Sequence, residues 1–220
     1  MHSIAPRIVV YPRGTAAPPV ESGWITLAQW SPAEGTPVVF GDGSHATTRL
    51  CAGVVDLLCR QSAREAVLDV GTGTGLLARI ARARGARFVV GTDIDPAALT
   101  SATAHSALDA HEVEIHFSTA APDRWGARFD LVVANILEAP LRSLAPALSR
   151  ALKPGGILLL SGFTRMQMPA LRVVYEALGL RYVRHSDLDD WTLLIFSSKP
   201  QSRPGGGSSQ LSGGRDFMRR

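Results

Sequence analysis

Val67-Leu68-Asp69-Val70-Gly71-Thr72-Gly73-Thr74-Gly75 joins a short apolar run to three alternate glycines. Val67, Leu68 and Val70 suit a parallel strand buried on both faces. Gly71, Gly73 and Gly75 let the chain turn tightly and bring backbone N–H groups near a bound nucleotide. Leu76, Leu77 and Ile80 then start a helix. In the dinucleotide fingerprint G-x-G-x-x-G the third small residue falls at position 76, but Leu76 stands there and the glycine comes one residue earlier. That shift favours S-adenosylmethionine over NAD. A glycine-rich turn alone is also compatible with an ordinary tight turn, so the residues after it decide the reading.

Working outward, the run Phe88-Val89-Val90-Gly91-Thr92 ends at Asp93, where a second strand presents a carboxylate to ribose hydroxyls. Asp93 could instead cap a helix, but Asp95 before Pro96 already fits that role, with proline in the first helical position. Asp69 lies inside the first strand, where an unpaired charge is costly. The ammonium of a bound methionine moiety is a plausible partner for it, directly or through water.

The 220 residues suffice for one α/β domain with short additions at each end. Cys51 and Cys59, the only cysteines, stand eight apart on one helix face, which suits core packing and makes neither a disulfide framework nor a zinc site. No metal is expected. With no run of eighteen apolar residues and no signal-peptide pattern at the start, the expected location is the cytoplasm and no membrane partner is implied. The pI near 9.6 invites a nucleic-acid reading. However, residues 201–220 hold Arg203, Arg215, Arg219 and Arg220 against Asp216, and so +3 of the formal +4. Residues 1–200 lack a basic stripe able to grip many phosphates, so RNA is a minority substrate class.

Residues 1–38 are rich in proline, with strands expected at Ile8 to Tyr11 and Trp24 to Gln29. They are too few for a core of their own, and are expected to pack on the main domain, 39–199, with Trp24 and Trp30 as anchors that either fill core or contact a ligand. Phe40 to Thr48 reads as a polar, glycine-rich loop before a helix from Arg49 to about Arg60, and is expected to order as a lid over a cofactor. Then come helix Gly75–Arg84, strand Phe88–Thr92, helix Pro96–Leu108, and strands Val113–Phe117 and Phe129–Ala134. Helix Pro140–Leu152, the breaker Lys153-Pro154-Gly155-Gly156, strand Ile157–Ser161 and helix Met166–Leu178 follow. Arg181–His185 and Trp191–Ser197 close the sheet as an antiparallel hairpin across a short Asp-rich linker. The fold class is α/β: a mostly parallel, seven-stranded, Rossmann-like sheet of class I methyltransferase plan, as against the all-parallel dinucleotide fold. Residues 200–220, with Gly205-Gly206-Gly207-Ser208-Ser209, are expected to be a disordered tail.

With these elements in place the chain, from roughly Trp24 to Lys199, resembles the PrmA-type methyltransferases, which modify large-subunit ribosomal protein eleven. The more specific signatures are Phe40-Gly41-x-Gly43-x-His45-x-Thr47-Thr48 and Val132-Val133-Ala134-Asn135-Ile136-Leu137. Asp69-Val70-Gly71-x-Gly73-x-Gly75, Asp93-Ile94-Asp95-Pro96, Leu152-Lys153-Pro154-Gly155-Gly156 and Asp190-Trp191 add support of a more widely shared kind. The resemblance implies that Thr48, Gly71, Asp93 and Asn135 bind S-adenosylmethionine and that the methyl acceptors are amines on a protein. Two departures stand out. Residues 1–38 cannot build the family's ferredoxin-like recognition domain, and Ala46 replaces a proline after the histidine, which leaves the loop less rigid.

Methyl transfer to an amine needs alignment more than charge stabilisation, and a nucleophile that is neutral. Asn135, at the carboxyl edge of its strand, could orient the amine through its side-chain carbonyl, or cap the next helix. His45 is the candidate base or substrate-loop contact, or a hydrogen-bonded spacer. Glu138 could attract a cation, or sit favourably at a helix N-terminus. The expected site is therefore Asn135 and His45 for catalysis, with Thr48, Asp69, Gly71, Gly73, Gly75, Asp93 and Asn135 for S-adenosylmethionine. The partner is a protein, ribosomal by the resemblance, or a small-molecule acceptor. A cofactor-binding module without turnover and an RNA methyltransferase are the remaining readings.

Overall fold

The computed structural model describes residues 2–29, 39–62, 64–109 and 113–200. Trp30 and all but the first residue of the tail expected at 200–220 lie outside them. The elements are β1 (His2–Ala5), β2 (Ile8–Pro12), β3 (Ile25–Gln29), α1 (Ala46–Gln61), β4 (Ala66–Val70), α2 (Leu76–Ala83) and β5 (Phe88–Thr92). They continue with α3 (Pro96–Ser106), β6 (Ile115–Ser118), β7 (Phe129–Asn135), α4 (Glu138–Ala151), β8 (Leu152–Thr164), α5 (Met168–Ala177), β9 (Arg181–Leu188) and β10 (Trp191–Ser197).

The main sheet has seven strands in the order β6-β5-β4-β7-β8-β10-β9. All pairs are parallel except those of β10, which runs antiparallel to both β8 and β9. This is the expected hairpin-closed plan, with the hairpin's second strand inserted against β8. A continuous apolar run serves both faces of such a sheet, because successive side chains alternate. Val67, Leu131, Val133 and Leu159 face α1 and α2, while Leu68, Val132, Ala134, Leu158 and Leu160 face α4 and α5. Cys51 and Cys59 are free thiols buried in the first of these cores.

The expected breaker Lys153-Pro154-Gly155-Gly156 does not separate helix from strand; it is absorbed into β8 as an irregularity. Phe129 pairs with Leu152 and Leu131 with Ile157, so the extra residues bulge out between two paired positions. Gly155, at φ 78°, supplies the left-handed residue. α4 begins at Glu138 rather than Pro140, because proline is tolerated in a first turn, where the N–H has no helical partner anyway.

Ahead of the main sheet, β1, β2 and β3 make a small sheet, β1–β2 antiparallel and β2–β3 parallel. The strand β1 went unforeseen: four residues give no periodicity to read. Ile4, Ile8, Val10 and Leu27 join the same apolar core as α1 and α2. A buried polar clasp reinforces this union. Arg79, fully buried on α2, forks onto Asp109 at 2.8 Å and donates to the carbonyl of Ala28 at 2.7 Å. Arg82 completes the pairing with Asp109 at 2.7 Å. Trp24, by contrast, is only half-buried.

Candidate functional site

The carboxyl ends of β4, β5 and β7 open into one cavity of about 1310 Å³. Gly71, Gly73, Asp93, Asn135 and His45 all line it, so the fold gathers residues from four separate parts of the sequence. The lining also includes Thr47, Thr92, Trp191 and the stretch Thr119–Pro122 after β6. Tyr11 and Gln29 from the N-terminal strands complete one wall.

The glycine turn is set by sterics. Gly71, Gly73 and Gly75 hold φ of 69°, 53° and 77°, a left-handed region that costs other residues about 1–2 kcal/mol. A Cβ on Gly71 would meet the side chain of Ile136, and one on Gly73 would collide with the carbonyl oxygen of Phe40. Gly75 lies away from the cavity; it caps α2 and packs against Ala102 and Phe117.

The N–H groups of this turn, expected near a bound nucleotide, are all engaged by protein acceptors. Gly71 and Thr72 N–H donate to Thr92 O at 2.8 and 2.9 Å, Thr74 N–H to Phe40 O at 3.1 Å, and Gly75 N–H to Thr72 O at 2.8 Å. Gly73 N–H donates to Asp93 Oδ2 at 3.0 Å. The dinucleotide turn binds pyrophosphate through its close backbone and the following helix N-terminus. Here every N–H from 71 to 75 is spent on the protein itself, which suits a cofactor without phosphate.

Asp93 lies at the end of β5, with Oδ1 accepting from Asp95 N–H at 3.0 Å. Each oxygen accepts one protein hydrogen bond and retains capacity for another, as a ribose ligand needs. Asp95 takes the cap, accepting from Ala97 N–H at 2.8 Å with Pro96 in the first turn.

Asp69 is fully buried and does not line the cavity. Its Oδ2 accepts from the Thr72 hydroxyl at 2.7 Å and from Ala78 N–H at 3.2 Å, bracing the turn against α2. Oδ1 is buried without a partner among the described residues. Burial pushes this carboxyl up to about 6, against the pull of the two hydrogen bonds.

Asn135 closes β7, only 8 % exposed. Leu137, not Asn135, occupies the cap position of α4. The Asn135 Nδ2 donates to Thr48 Oγ1 at 3.4 Å, and Oδ1 is a buried acceptor with no partner among the described residues. Thr48 therefore stands behind Asn135 rather than on the main cavity, which its neighbour Thr47 lines instead.

His45 is the N-cap of α1: its Nδ1 accepts from Thr47 N–H at 3.3 Å and lies 2.8 Å from the Thr47 hydroxyl. Accepting at Nδ1 places the proton of the neutral ring on Nε2, so the remaining nitrogen is a donor, not a base. The ring stacks edgewise against Phe40 at 5.3 Å and Trp191 at 4.7 Å. The Phe40–Thr48 loop is further tied to the glycine turn by Thr74 Oγ1, which donates to Gly41 O at 2.6 Å. Glu138 is in the first turn of α4 and pairs with Arg142.

Sequence reasoning missed Thr47, Thr119–Pro122, Tyr11 and Gln29. The rule that ligands sit beyond the carboxyl ends of parallel strands could have found Thr119–Pro122, which follow β6. No local signal marks Tyr11 or Gln29. Among the described residues no group of three or more His, Cys, Asp or Glu side chains is placed to hold a metal, and no helix is long and apolar enough to cross a membrane.

A seven-stranded sheet with one antiparallel strand inserted next to its edge, and a cavity over the glycine turn at its carboxyl edge, defines the class I methyltransferase fold. Within that class, the chain belongs to the ribosomal protein L11 methyltransferase (PrmA) family, whose model matches residues 7–199. It is 42 % identical over 165 residues to the ribosomal protein L11 methyltransferase of Bradyrhizobium diazoefficiens, covering 72 % of this chain and 56 % of that one. Identity to the Hydrogenovibrio crunogenus protein of the same name is 36 % over 165 residues, covering 75 % and 54 %. The chain thus spans about half the length of these relatives. The crystal structure of a ribosomal protein L11 methylase from Lactobacillus delbrueckii subsp. bulgaricus superimposes with a TM-score of 0.75 at 27 % identity, over 90 % of this chain and 97 % of that one. The N-methyltransferase NodS from Bradyrhizobium japonicum in complex with S-adenosyl-L-homocysteine shares the fold, with a TM-score of 0.55 at 17 % identity, over 70 % and 89 %.

Proposed function

We propose that this chain is an S-adenosylmethionine-dependent N-methyltransferase acting on an amine of a protein. The observation that carries the reading is Asn135 Oδ1, a buried acceptor with no partner among the described residues, on an asparagine that lines the cavity. An unpaired buried acceptor costs about 1–3 kcal/mol, so a site that keeps one is built for a donor that arrives with the substrate or cofactor. S-adenosylmethionine, when bound, supplies an electrophilic methyl group on a sulfonium. Asp93 would hold its ribose, and the turn at Gly71 and Gly73 leaves room for it because no side chain fits there.

The residues of this chain position the nucleophile rather than activate it. Thr48 fixes the amide of Asn135, whose Oδ1 accepts an amine N–H and so turns the nitrogen lone pair toward the reacting carbon. Asp42, Asp93 and Asp95 are the charged side chains of the described lining, with no lysine or arginine among them. That sign favours a cationic amine and disfavours the phosphates of RNA. The proton lost by the amine goes to solvent, since His45 presents an N–H. An α-amine of pKa near 8 is closer to neutral at pH 7 than a lysine of about 10.4, and should react faster.

The second reading, a small-molecule acceptor, is favoured by one observation: a cavity of about 1310 Å³ exceeds the roughly 300–1,000 Å³ of common ligand sites. Incubation with methyl-labelled cofactor and either lysate protein or a metabolite extract separates the two. Label in protein supports the proposal and label only in metabolites supports the alternative. No label, with S-adenosylhomocysteine still bound in calorimetry, leaves a binding module. NADH binding in place of S-adenosylhomocysteine refutes the whole reading.

A further inference from the structure

Large apolar side chains are exposed where this fold has most to gain from hiding them. Phe40, Leu137 and Met166 are 52 %, 70 % and 90 % exposed. They come from three separate segments: two are on the cavity wall, and the third follows backbone that is paired to the strand carrying Trp191, another wall residue. Phe40 and Leu137 line the cavity. Gly162 on β8 abuts the carbonyl of Ile136, the residue before Leu137. Two residues on from Gly162, Thr164 pairs with Trp191, and Arg165 N–H donates to Asp190 O at 3.1 Å, which sets Met166 beside the β9–β10 turn. Trp191 in turn packs on His45, and His45 on Phe40. The result is an apolar rim around a mouth whose charged lining residues, Asp42, Asp93 and Asp95, are all acidic. This is in a chain with 23 lysines and arginines.

From this juxtaposition we infer that the rim is the docking surface for a polypeptide segment whose reacting amine is flanked by large apolar side chains. The inference rests on the amine-methyltransferase reading and adds the sequence context of the acceptor. Charge complementarity selects the occupant. The net negative charge of the mouth draws a cationic amine, and its apolar neighbours cover Phe40, Leu137 and Met166. An anionic membrane or nucleic acid would be repelled by the same carboxylates.

The test uses the full chain saturated with S-adenosylhomocysteine and two C-terminally labelled peptides of equal length and charge. Each has a free N-terminal amine and one lysine; the amines are flanked by Leu and Phe in one peptide and by Ser and Gln in the other. Fluorescence anisotropy should show the apolar-flanked peptide binding about tenfold more tightly, the scale of burying one large side chain. Met166→Ser, a change at an exposed position outside the cavity lining, should cut that preference to about threefold and leave S-adenosylhomocysteine affinity unchanged. Equal affinities in the parent protein, or a preference untouched by Met166→Ser, overturn the inference. In a parallel assay with S-adenosylmethionine in place of S-adenosylhomocysteine, equal methylation of both peptides fails the rim while the amine chemistry stands. If neither peptide is bound or methylated, both fall. A Met166→Ser effect confined to self-association in sedimentation assigns the rim to a second copy of the chain and also overturns it.

Discussion

Replacing Gly73 by alanine tests whether the glycine turn and the Phe40–Thr48 loop are one unit. At φ 53° an alanine carries the left-handed penalty, about 1–2 kcal/mol. The new Cβ also collides with the Phe40 carbonyl oxygen, and relief by moving the loop breaks two hydrogen bonds, Thr74 N–H to Phe40 O and Thr74 Oγ1 to Gly41 O. At about 0.5–1.5 kcal/mol each, the hydrogen bonds bring the total to roughly 2–5 kcal/mol. Gly85 is the control: it has φ 94° with nothing within 4 Å of a Cβ, so Gly85→Ala carries the conformational cost alone, about 1–2 kcal/mol. Urea unfolding of both variants, with calorimetric titration of S-adenosylhomocysteine, reads the difference. Gly73→Ala should lose more stability than Gly85→Ala and also lose cofactor affinity, because the displaced loop lines the cavity. If the two variants are equally stable and bind equally well, the loop is not anchored through the turn and the reasoning is wrong.

Asp93→Ala should weaken S-adenosylhomocysteine binding by roughly 1–3 kcal/mol, the scale of hydroxyls left unpaired; calorimetry checks it, and unchanged affinity removes Asp93 from the site. Asp69, with its folded-state value near 6 against about 3.9 unfolded, binds its proton more tightly in the folded protein. Its contribution to stability is therefore greatest below pH 4, declines between pH 4 and 6 by about 2–3 kcal/mol, and is flat above pH 7. Subtracting the pH-stability curve of Asp69→Asn from that of the parent should expose this decline, and a difference that rises with pH contradicts it. Arg79→Met strips Asp109 of its bidentate partner and β3 of its anchor at Ala28, and should cost about 3 kcal/mol, because Asp109 stays buried with Arg82 alone. A shift in urea midpoint within error of the parent's would show that the clasp contributes little.

The sheet was legible in the sequence because each strand is a short run bounded by turn residues. Val67 to Gly75, Phe88 to Asp93 and the Trp191–Ser197 hairpin strand place themselves by pattern alone. Asp95 and Pro96 likewise announce a helix start through chemistry that spans two residues. What pattern did not reveal was β1, too short for a period, and the bulge in β8, where the pairing of Leu152 and Ile157 with β7 on either side carries Lys153–Gly156 along as unpaired extra residues.

At the site the division follows the same principle. By itself the sequence determined the glycine turn, a carboxylate at Asp93 after its strand and the asparagine at a strand end, because each depends on spacing within its own βα unit. Only the tertiary structure decided what those groups do with their hydrogen bonds. The turn's N–H groups are consumed by Thr92, Asp93 and Phe40, Asp69 braces the turn from beneath the cavity, and Thr48 holds Asn135 from 87 residues away. Apart from the Thr72–Asp69 bond, which spans three residues, each of those bonds joins segments that are neighbours only after the sheet has formed. A hydrogen-bond partner is a matter of ångströms in space, and separation along the chain carries no information about it until the core has packed.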